Sequence, residues 1–376
     1  MIPNAISILV TYHSGQSYLK ACLESLIQTV REKDEILVVV NNESQDVNQV
    51  NLFTERITYL YFQENLGYAR AVNEGVNASI YDYMVLADHD LVFQPNWLEG
   101  LWAFYDSDPK IAAVSCKVLN TASNAILDYG IAYSDFNLGH PFMDLSIDHP
   151  LVQSNCISQM VCAGGLLMKK QDFLDLGGMD ESFGSLYTDL DICLRLKERG
   201  YLVGAASKAI TYHFGGDFSL IKGAYKNASL KTDIKGAFMR KHANILEQDM
   251  IDYYKQSAKY FEKTFGGFSK YFFCNMMNVA NPRWYESVVQ AEGVERYDRI
   301  ERASGQRDAD SIGLFEIIGY DLMVLGAPIA YFVDRYVSVK NNAFWWSQRR
   351  DYQRDIVIDR NANVLPLLQI LKGKDN

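Results

Sequence analysis

Three short apolar runs, each cut off by polar residues, constrain this chain more than anything else in it. Ile6-Ser7-Ile8-Leu9-Val10 ends on Thr11-Tyr12-His13, Ile36-Leu37-Val38-Val39-Val40 on Asn41-Asn42, and Tyr83-Met84-Val85-Leu86-Ala87 on Asp88-His89-Asp90. Near-continuous apolar runs of this length suit parallel strands covered on both faces. Helical spacing lies between them: Leu19, Cys22, Leu23, Leu26, Ile27 and Val30 share one face of a helix over Tyr18–Val30, and a second helix is expected from Tyr68 to Ser79. Another strand is expected near Ile57–Phe62. Strand and helix in alternation give a doubly wound α/β sheet, whose ligands sit beyond the carboxyl ends of its strands. The three polar clusters therefore converge on one edge.

Further along, strands are expected at Ala112–Val118 and Gln159–Met168, with a helix at Leu190–Arg199. Beyond Asp217 strand signals fade, and 221–248 and 250–264 read as helices. The chain has 376 residues, enough for about two domains, here 1–217 and a mainly helical, aromatic-rich 218–376. Charge divides at the same place. Residues 1–217 carry 13 basic and 27 acidic groups, net −14, and residues 218–376 carry 23 and 19, net +4. The overall balance of −10 argues against a nucleic-acid binder. Six scattered cysteines without a C-x-x-C pair show neither zinc spacing nor a disulfide framework. The apolar stretch Ile312–Val333 contains Glu316, Asp321 and Pro328, which disfavours a spanning helix, and the N-terminus lacks a basic leader. A cytoplasmic protein is expected, with a peripheral contact at the inner membrane face and a homo-oligomer as further expectations. The contact would use Lys222, Lys226, Lys231, Lys235, Arg240 and Lys241, a basic cluster suited to anionic lipid or a lipid-diphosphate.

Three places carry chemistry. Asp88-His89-Asp90 puts two carboxylates at a strand end, where they can hold a hard cation such as Mg²⁺ or Mn²⁺ against a diphosphate. Alone it is also an ordinary acidic turn. In Thr188-Asp189-Leu190-Asp191 one aspartate is explained as a helix cap, which leaves Asp189 as a general base; Gly200 fits the helix end. His213 follows an apolar run and precedes Gly215-Gly216, an arrangement suited to a phosphate or metal neighbour as well as to a structural histidine.

In order along residues 4–217, these pieces resemble a known family. They are Val10-Thr11-Tyr12, the run Val39 to Asp46, Glu64-Asn65-Leu66-Gly67-Tyr68-Ala69-Arg70-Ala71-Val72-Asn73-Glu74-Gly75, Asp88-His89-Asp90, Leu176 to Phe183, the Thr188–Asp191 start and His213. The chain is similar to family 2 glycosyltransferases of GT-A fold, in particular the bacterial rhamnosyltransferase-like branch. The resemblance implies inverting, metal-dependent transfer from a UDP- or dTDP-sugar to a glycan, lipid-linked or glycoprotein acceptor in surface polysaccharide or glycoprotein synthesis. It implies Thr11, Asn42, Arg70, Asn73 and Asp88 at the nucleotide sugar, and Asp88, Asp90 and His213 at Mn²⁺ or Mg²⁺. Asp189 would be the base, with Asp191, Gly164 and Gly165 positioning the acceptor. Asn41 and Thr188 stand where the family usually has acidic residues. The rival readings are a sugar nucleotidyltransferase, which would have a glycine-rich basic loop after the first strand, and a catalytically silent scaffold. Thr11-Tyr12-His13-Ser14-Gly15 has one glycine and no lysine or arginine. A nicotinamide dehydrogenase lacks G-x-G-x-x-G after a strand.

Overall fold

The computed structural model describes residues 2–41, 52–121, 124–134, 137–143, 145–214, 228–249, 252–253, 256, 272–275, 329–333, 352–359 and 364–372. It divides into two compact units, Met1–Gln248 and Asp249–Asn376.

The first unit opens as its sequence pattern requires. Strand β1 (Ser7–Tyr12) leads to helix α1 (Gln16–Thr29), then β2 (Glu35–Asn41), β3 (Thr58–Phe62), helix α2 (Tyr68–Ala78) and β4 (Tyr83–Asp88). Strand β1 is parallel to both β2 and β4, and β2 is parallel to β3. The chain thus winds outward from β1 in one direction and returns on its other side, which makes the carboxyl end of β1 a topological switch point. Every residue of β1 is buried, as are Ile36 to Asn41 in β2. Fully burying each such branched side chain contributes about 1.5–3 kcal/mol. Helix α2 sits close because it faces the sheet with small residues. A Cβ on Gly75 would lie 2.7 Å from Val39 Cγ2 and 3.2 Å from Leu9 Cδ2.

After β4 the order is β5 (Leu91–Phe93), α3 (Trp97–Tyr105), β6 (Ile111–Asn120), β7 (Ile126–Asp128), β8 (Ala132–Ser134), β9 (Asn137–Gly139), β10 (Cys156–Ser158) and β11 (Leu166–Lys169). Helices α4 (Lys170–Asp175) and α5 (Thr188–Glu198), strand β12 (Leu202–His213) and helix α6 (Ala228–Lys241) complete the unit. The main sheet runs β10-β12-β6-β11-β4-β1-β2-β3, with β5 and β7 paired onto β12 and β6. Strand β11 is antiparallel to both β4 and β6, whereas β12 is parallel to β6. The sheet is therefore mixed.

Two boundaries differ from the sequence reading. The strand expected over Gln159–Met168 begins only at Leu166, because Gly165 adopts φ 95°, outside strand geometry. Asp191 was expected to cap α5, but the cap position belongs to Tyr187 in a left-handed conformation, φ 61°. That conformation is uncommon for a bulky residue. Phe238 of α6 stacks on the Tyr187 ring with centroids 5.1 Å apart, so packing holds the unusual turn.

Asp191 instead anchors α5 from within. It is fully buried; Arg195 Nε donates to its Oδ2 at 2.7 Å, while Lys241 Nζ and His242 Nε2 lie 2.6 and 2.8 Å from its Oδ1. Burial alone would raise its pKa, but these partners hold it below the usual carboxylate range. Asp191→Asn leaves three basic groups around a neutral amide. The expected cost is roughly 3 kcal/mol, read by denaturant unfolding. Lys241 also pairs with Asp180, so within this fold its charge is turned toward two aspartates. Lys222 and Lys226 and the side chain of Lys231 lie outside the described residues.

Within 218–376 the helix expected over 221–248 appears as α6, and the second unit adds short strands that were not expected. Its described residues form a sheet ordered β13 (Phe272–Asn275), β14 (Ile329–Val333), β15 (Ile356–Asp359) and β16 (Val364–Pro366), followed by helix α7 (Leu367–Lys372). The first three strands are parallel and the last antiparallel. Apolar runs of four or five residues cannot be told from buried helix by periodicity alone, which is why they escaped the sequence reading. Most of 250–264, expected as helix, lies outside the described residues, as does 312–328. The end of the long apolar stretch, Ile329–Val333, is strand β14. Among the described residues no helix is long and apolar enough to cross a membrane.

Candidate active site

The switch point gathers most of the residues singled out from sequence. Asp88 ends β4 in register with Thr11 of β1, whose hydroxyl donates to Asp88 Oδ1 at 3.3 Å. Thr11 is 8% exposed, so its hydroxyl serves Asp88 before any ligand. Two residues on, Asp90 stands in the turn to β5, which pairs with β12 so that His213 lies opposite Leu91. That pairing brings His213 Nε2 to 3.2 Å from Asp90 Oδ2. The expected trio Asp88, Asp90 and His213 is thus assembled from the end of β4, the turn to β5 and the end of β12.

Its electrostatics are those of a site for a positive charge. Burial, followed by repulsion from Asp90, pushes the Asp88 carboxyl up to about 7, Asp189 adds to the rise, and His213 opposes it. For Asp90 burial works in the same direction, but the hydrogen bond and charge of His213 win, and its pKa falls. Burial disfavours a charged His213, yet Asp90 beside it raises its pKa. Asp90 Oδ1 and His213 Nδ1 are enclosed and have no hydrogen-bond partner among the described residues. A buried carboxylate oxygen left unpaired is costly. An oxygen and imidazole set of this kind suits Mn²⁺ or Mg²⁺, so these residues fit the expected cation.

Asp189 lies in the first turn of α5. Its Oδ2 accepts the Ala163 N–H at 3.0 Å, and its Oδ1 the Leu190 N–H at 2.9 Å. Burial raises its pKa while those backbone bonds work against the rise. The result is a fixed carboxylate, more basic than an exposed one, and close enough to Asp88 to raise that group's pKa too.

One participant was not picked out from sequence. The Tyr68 hydroxyl is hydrogen-bonded to Asp88, and it also feels the charge of Asp189. Its place directly after Gly67, at the start of α2, was the available signal; an aromatic at a helix start reads first as packing.

Other expected site residues are brought elsewhere. Asn73 spends its amide on the chain: Nδ2 donates to the Met179 carbonyl at 3.0 Å, and Oδ1 accepts the Met179 N–H at 2.8 Å. It ties α2 to the loop before α5. Arg70 is exposed in the first turn of α2, and Asn42 lies outside the described residues. Gly164 and Gly165 are packing glycines, since an added Cβ would lie 2.7 Å from Val118 Cγ2 or 2.8 Å from Cys116 Sγ. They let the segment after Cys162 lie flat on β6.

Asn41, which replaces the family's usual acid, shapes the loop before α2. Its Oδ1 accepts the Leu66 N–H at 2.7 Å, and its Nδ2 donates to Asn65 Oδ1 and the Gly67 carbonyl, both at 3.2 Å. A carboxylate could make only the first of these bonds. Asn41→Asp is expected to lower stability by roughly 1–3 kcal/mol in urea unfolding, because two acceptors would face a negative charge.

The sheet edge thus gathers a paired carboxylate and imidazole that fit a cation, beside a second, fixed carboxylate. Residues 7–138 match the family described as Glycosyl transferase family 2. The O-antigen biosynthesis protein RfbC of Myxococcus xanthus is 26% identical over 223 residues, covering 55% of this chain and 17% of that protein. A pre-mycofactocin glycosyltransferase of Mycobacterium tuberculosis is 27% identical over 146 residues, covering 38% of this chain and 29% of its own. An uncharacterized glycosyltransferase of Haemophilus influenzae is 23% identical, covering 55% of this chain and 67% of its own. This chain thus spans less than a third of the first two relatives. Among solved structures, GalNAc-T7 with UDP, GalNAc and Mn²⁺ superposes with a TM-score of 0.46 and 15% identity, over 56% of this chain and 44% of that one.

Proposed function

We propose that this protein is an inverting, cation-dependent glycosyltransferase that moves a sugar from a nucleotide diphosphate to a hydroxyl acceptor. The observation that carries the reading is the pairing of Asp90 with His213, each with an enclosed atom that has no partner among the described residues, beside a separate carboxylate, Asp189, held by two backbone N–H groups. The family match over residues 7–138 supports it.

Each residue has a distinct task. Asp90 and His213, with Asp88, hold the divalent cation, which when bound neutralises charge on the departing diphosphate. Thr11 and Tyr68 orient Asp88 by hydrogen bonds. Asp189 accepts the proton of the acceptor hydroxyl as the new bond forms, a role that needs it within ~2.6–3.2 Å of that hydroxyl. A base on one side of the anomeric carbon and a leaving diphosphate on the other give inversion.

The donor proposed is a UDP- or dTDP-sugar, with rhamnose among the candidate sugars, and the acceptor a glycan, a lipid-linked sugar or a glycoprotein. The motivation is the sequence Asn41-Asn42 that ends the second apolar run, since Asn42 offers a neutral amide suited to a pyrimidine imide. Calorimetry with UDP, dTDP and GDP tests this part. Tighter binding of the two pyrimidine nucleotides is expected, and equal or tighter binding of GDP would refute it.

A further inference from the structure

Beside Asp189 lies a second set of metal-type ligands, one residue of each kind. Asp128, His140 and Cys162 bring a carboxylate oxygen, an imidazole nitrogen and a thiol within 4.8 Å of one another. They come from three separate stretches. Asp128 closes β7, His140 directly follows β9, and Cys162 precedes Ala163, whose N–H holds Asp189. His140 Nδ1 and Asp128 Oδ1 are 2.7 Å apart. Asp128 is only 4% exposed, and its other oxygen, Oδ2, is enclosed without a hydrogen-bond partner among the described residues. Among the described residues, hydrogen bonding thus satisfies one oxygen of this carboxylate and leaves the second without a partner. A cation supplies what the second oxygen lacks.

We propose that Asp128, His140 and Cys162 bind a zinc ion at a site separate from the cation held by Asp90 and His213. Ligand chemistry separates the two. A thiolate beside an imidazole and a carboxylate favours Zn²⁺ over Mg²⁺ or Mn²⁺, whereas the Asp90 site, without sulfur, favours the harder ions. Zn–N and Zn–O bonds of ~2.0–2.2 Å in tetrahedral array place neighbouring ligand atoms ~3.3–3.5 Å apart. The His140–Asp128 contact therefore opens by less than ~1 Å as the ion replaces the shared proton. Binding shifts that ring proton to Nε2, leaving Nδ1 free to ligate, and releases the Cys162 thiol proton to solvent. The ion would tie β7, the end of β9 and the Cys162–Ala163 segment together, and so fix the N–H that orients Asp189. The inference stands whether or not the chain transfers sugar.

The test uses the full chain, stripped by chelator and titrated with Co²⁺ as a spectroscopic probe. One equivalent should produce a near-ultraviolet thiolate-to-cobalt charge-transfer band, which Zn²⁺ then abolishes by displacement. Cys162→Ser should eliminate the band. His140→Ala and Asp128→Asn should weaken Co²⁺ binding tenfold or more without touching the sulfur, so the test does not hang on one folded variant. Asp90→Ala and His213→Ala should leave the band intact. No band from folded wild-type protein, or a band that survives Cys162→Ser, would overturn the proposal.

Discussion

Asp189→Asn is expected to bind nucleotide sugar and divalent cation as the wild type does, while transfer falls by ~10²-fold or more. General-base catalysis usually contributes 10²–10⁴-fold, and an amide cannot take a proton from the acceptor hydroxyl. The substitution is nearly isosteric, and the amide oxygen of asparagine can still accept one of the two backbone N–H groups from Ala163 and Leu190. The loss should therefore appear in kcat, together with a lowered thermal midpoint, because the amide NH2 faces the other backbone N–H. Burial keeps the Asp189 pKa raised, which suits a base: a more basic carboxylate takes the proton more readily, provided it is ionised at working pH. The start of helix α5 favours that ionised form. Near wild-type transfer by the folded variant would remove Asp189 from the role.

Asp90→Ala should act on the opposite side of the reaction. It removes the carboxylate that faces His213 at 3.2 Å and the enclosed oxygen that has no partner among the described residues. Mutating outer-shell partners of a metal ligand typically costs 10–100-fold in metal affinity, so removing a ligand should cost ~10²-fold or more. Measured by calorimetry, Mn²⁺ affinity should fall by at least that factor. Donor affinity should drop in the presence of cation and change little without it. Unaltered Mn²⁺ affinity would mean that Asp90 and His213 are merely an ion pair closing the β5–β12 contact.

What the sequence disclosed and what it hid follow from the range of the forces involved. Strands β1, β2 and β4 were legible because burial on both faces forces continuous apolar runs, and their polar ends marked the switch point. The meeting of Asp90 with His213 was expected only through a family likeness, since it depends on β12 pairing with β5 across more than a hundred residues. Asp191 was misread for a related reason. Two residues past Thr-Asp at a helix start, it looks like a cap, and nothing local announces that Lys241 and His242 of a later segment will surround it. Asn73 likewise reads as a ligand residue until the loop carrying Met179 is seen folded onto it. The glycines at 164 and 165 signal close approach, but the sequence does not say whether a ligand or strand β6 comes close. Strands β13 to β16 were hidden because short apolar runs do not declare their period.

The most direct test of the central claim is donor turnover by the purified chain against a panel of nucleotide sugars, with and without exhaustive chelation. The predicted result is slow hydrolysis, or transfer to a supplied hydroxyl acceptor, with a pyrimidine-nucleotide sugar. That turnover should stop on chelation, return with Mn²⁺ or Mg²⁺, and be lost in Asp90→Ala. Turnover that persists at full rate after chelation, or binding of every nucleotide sugar without any turnover, would contradict it.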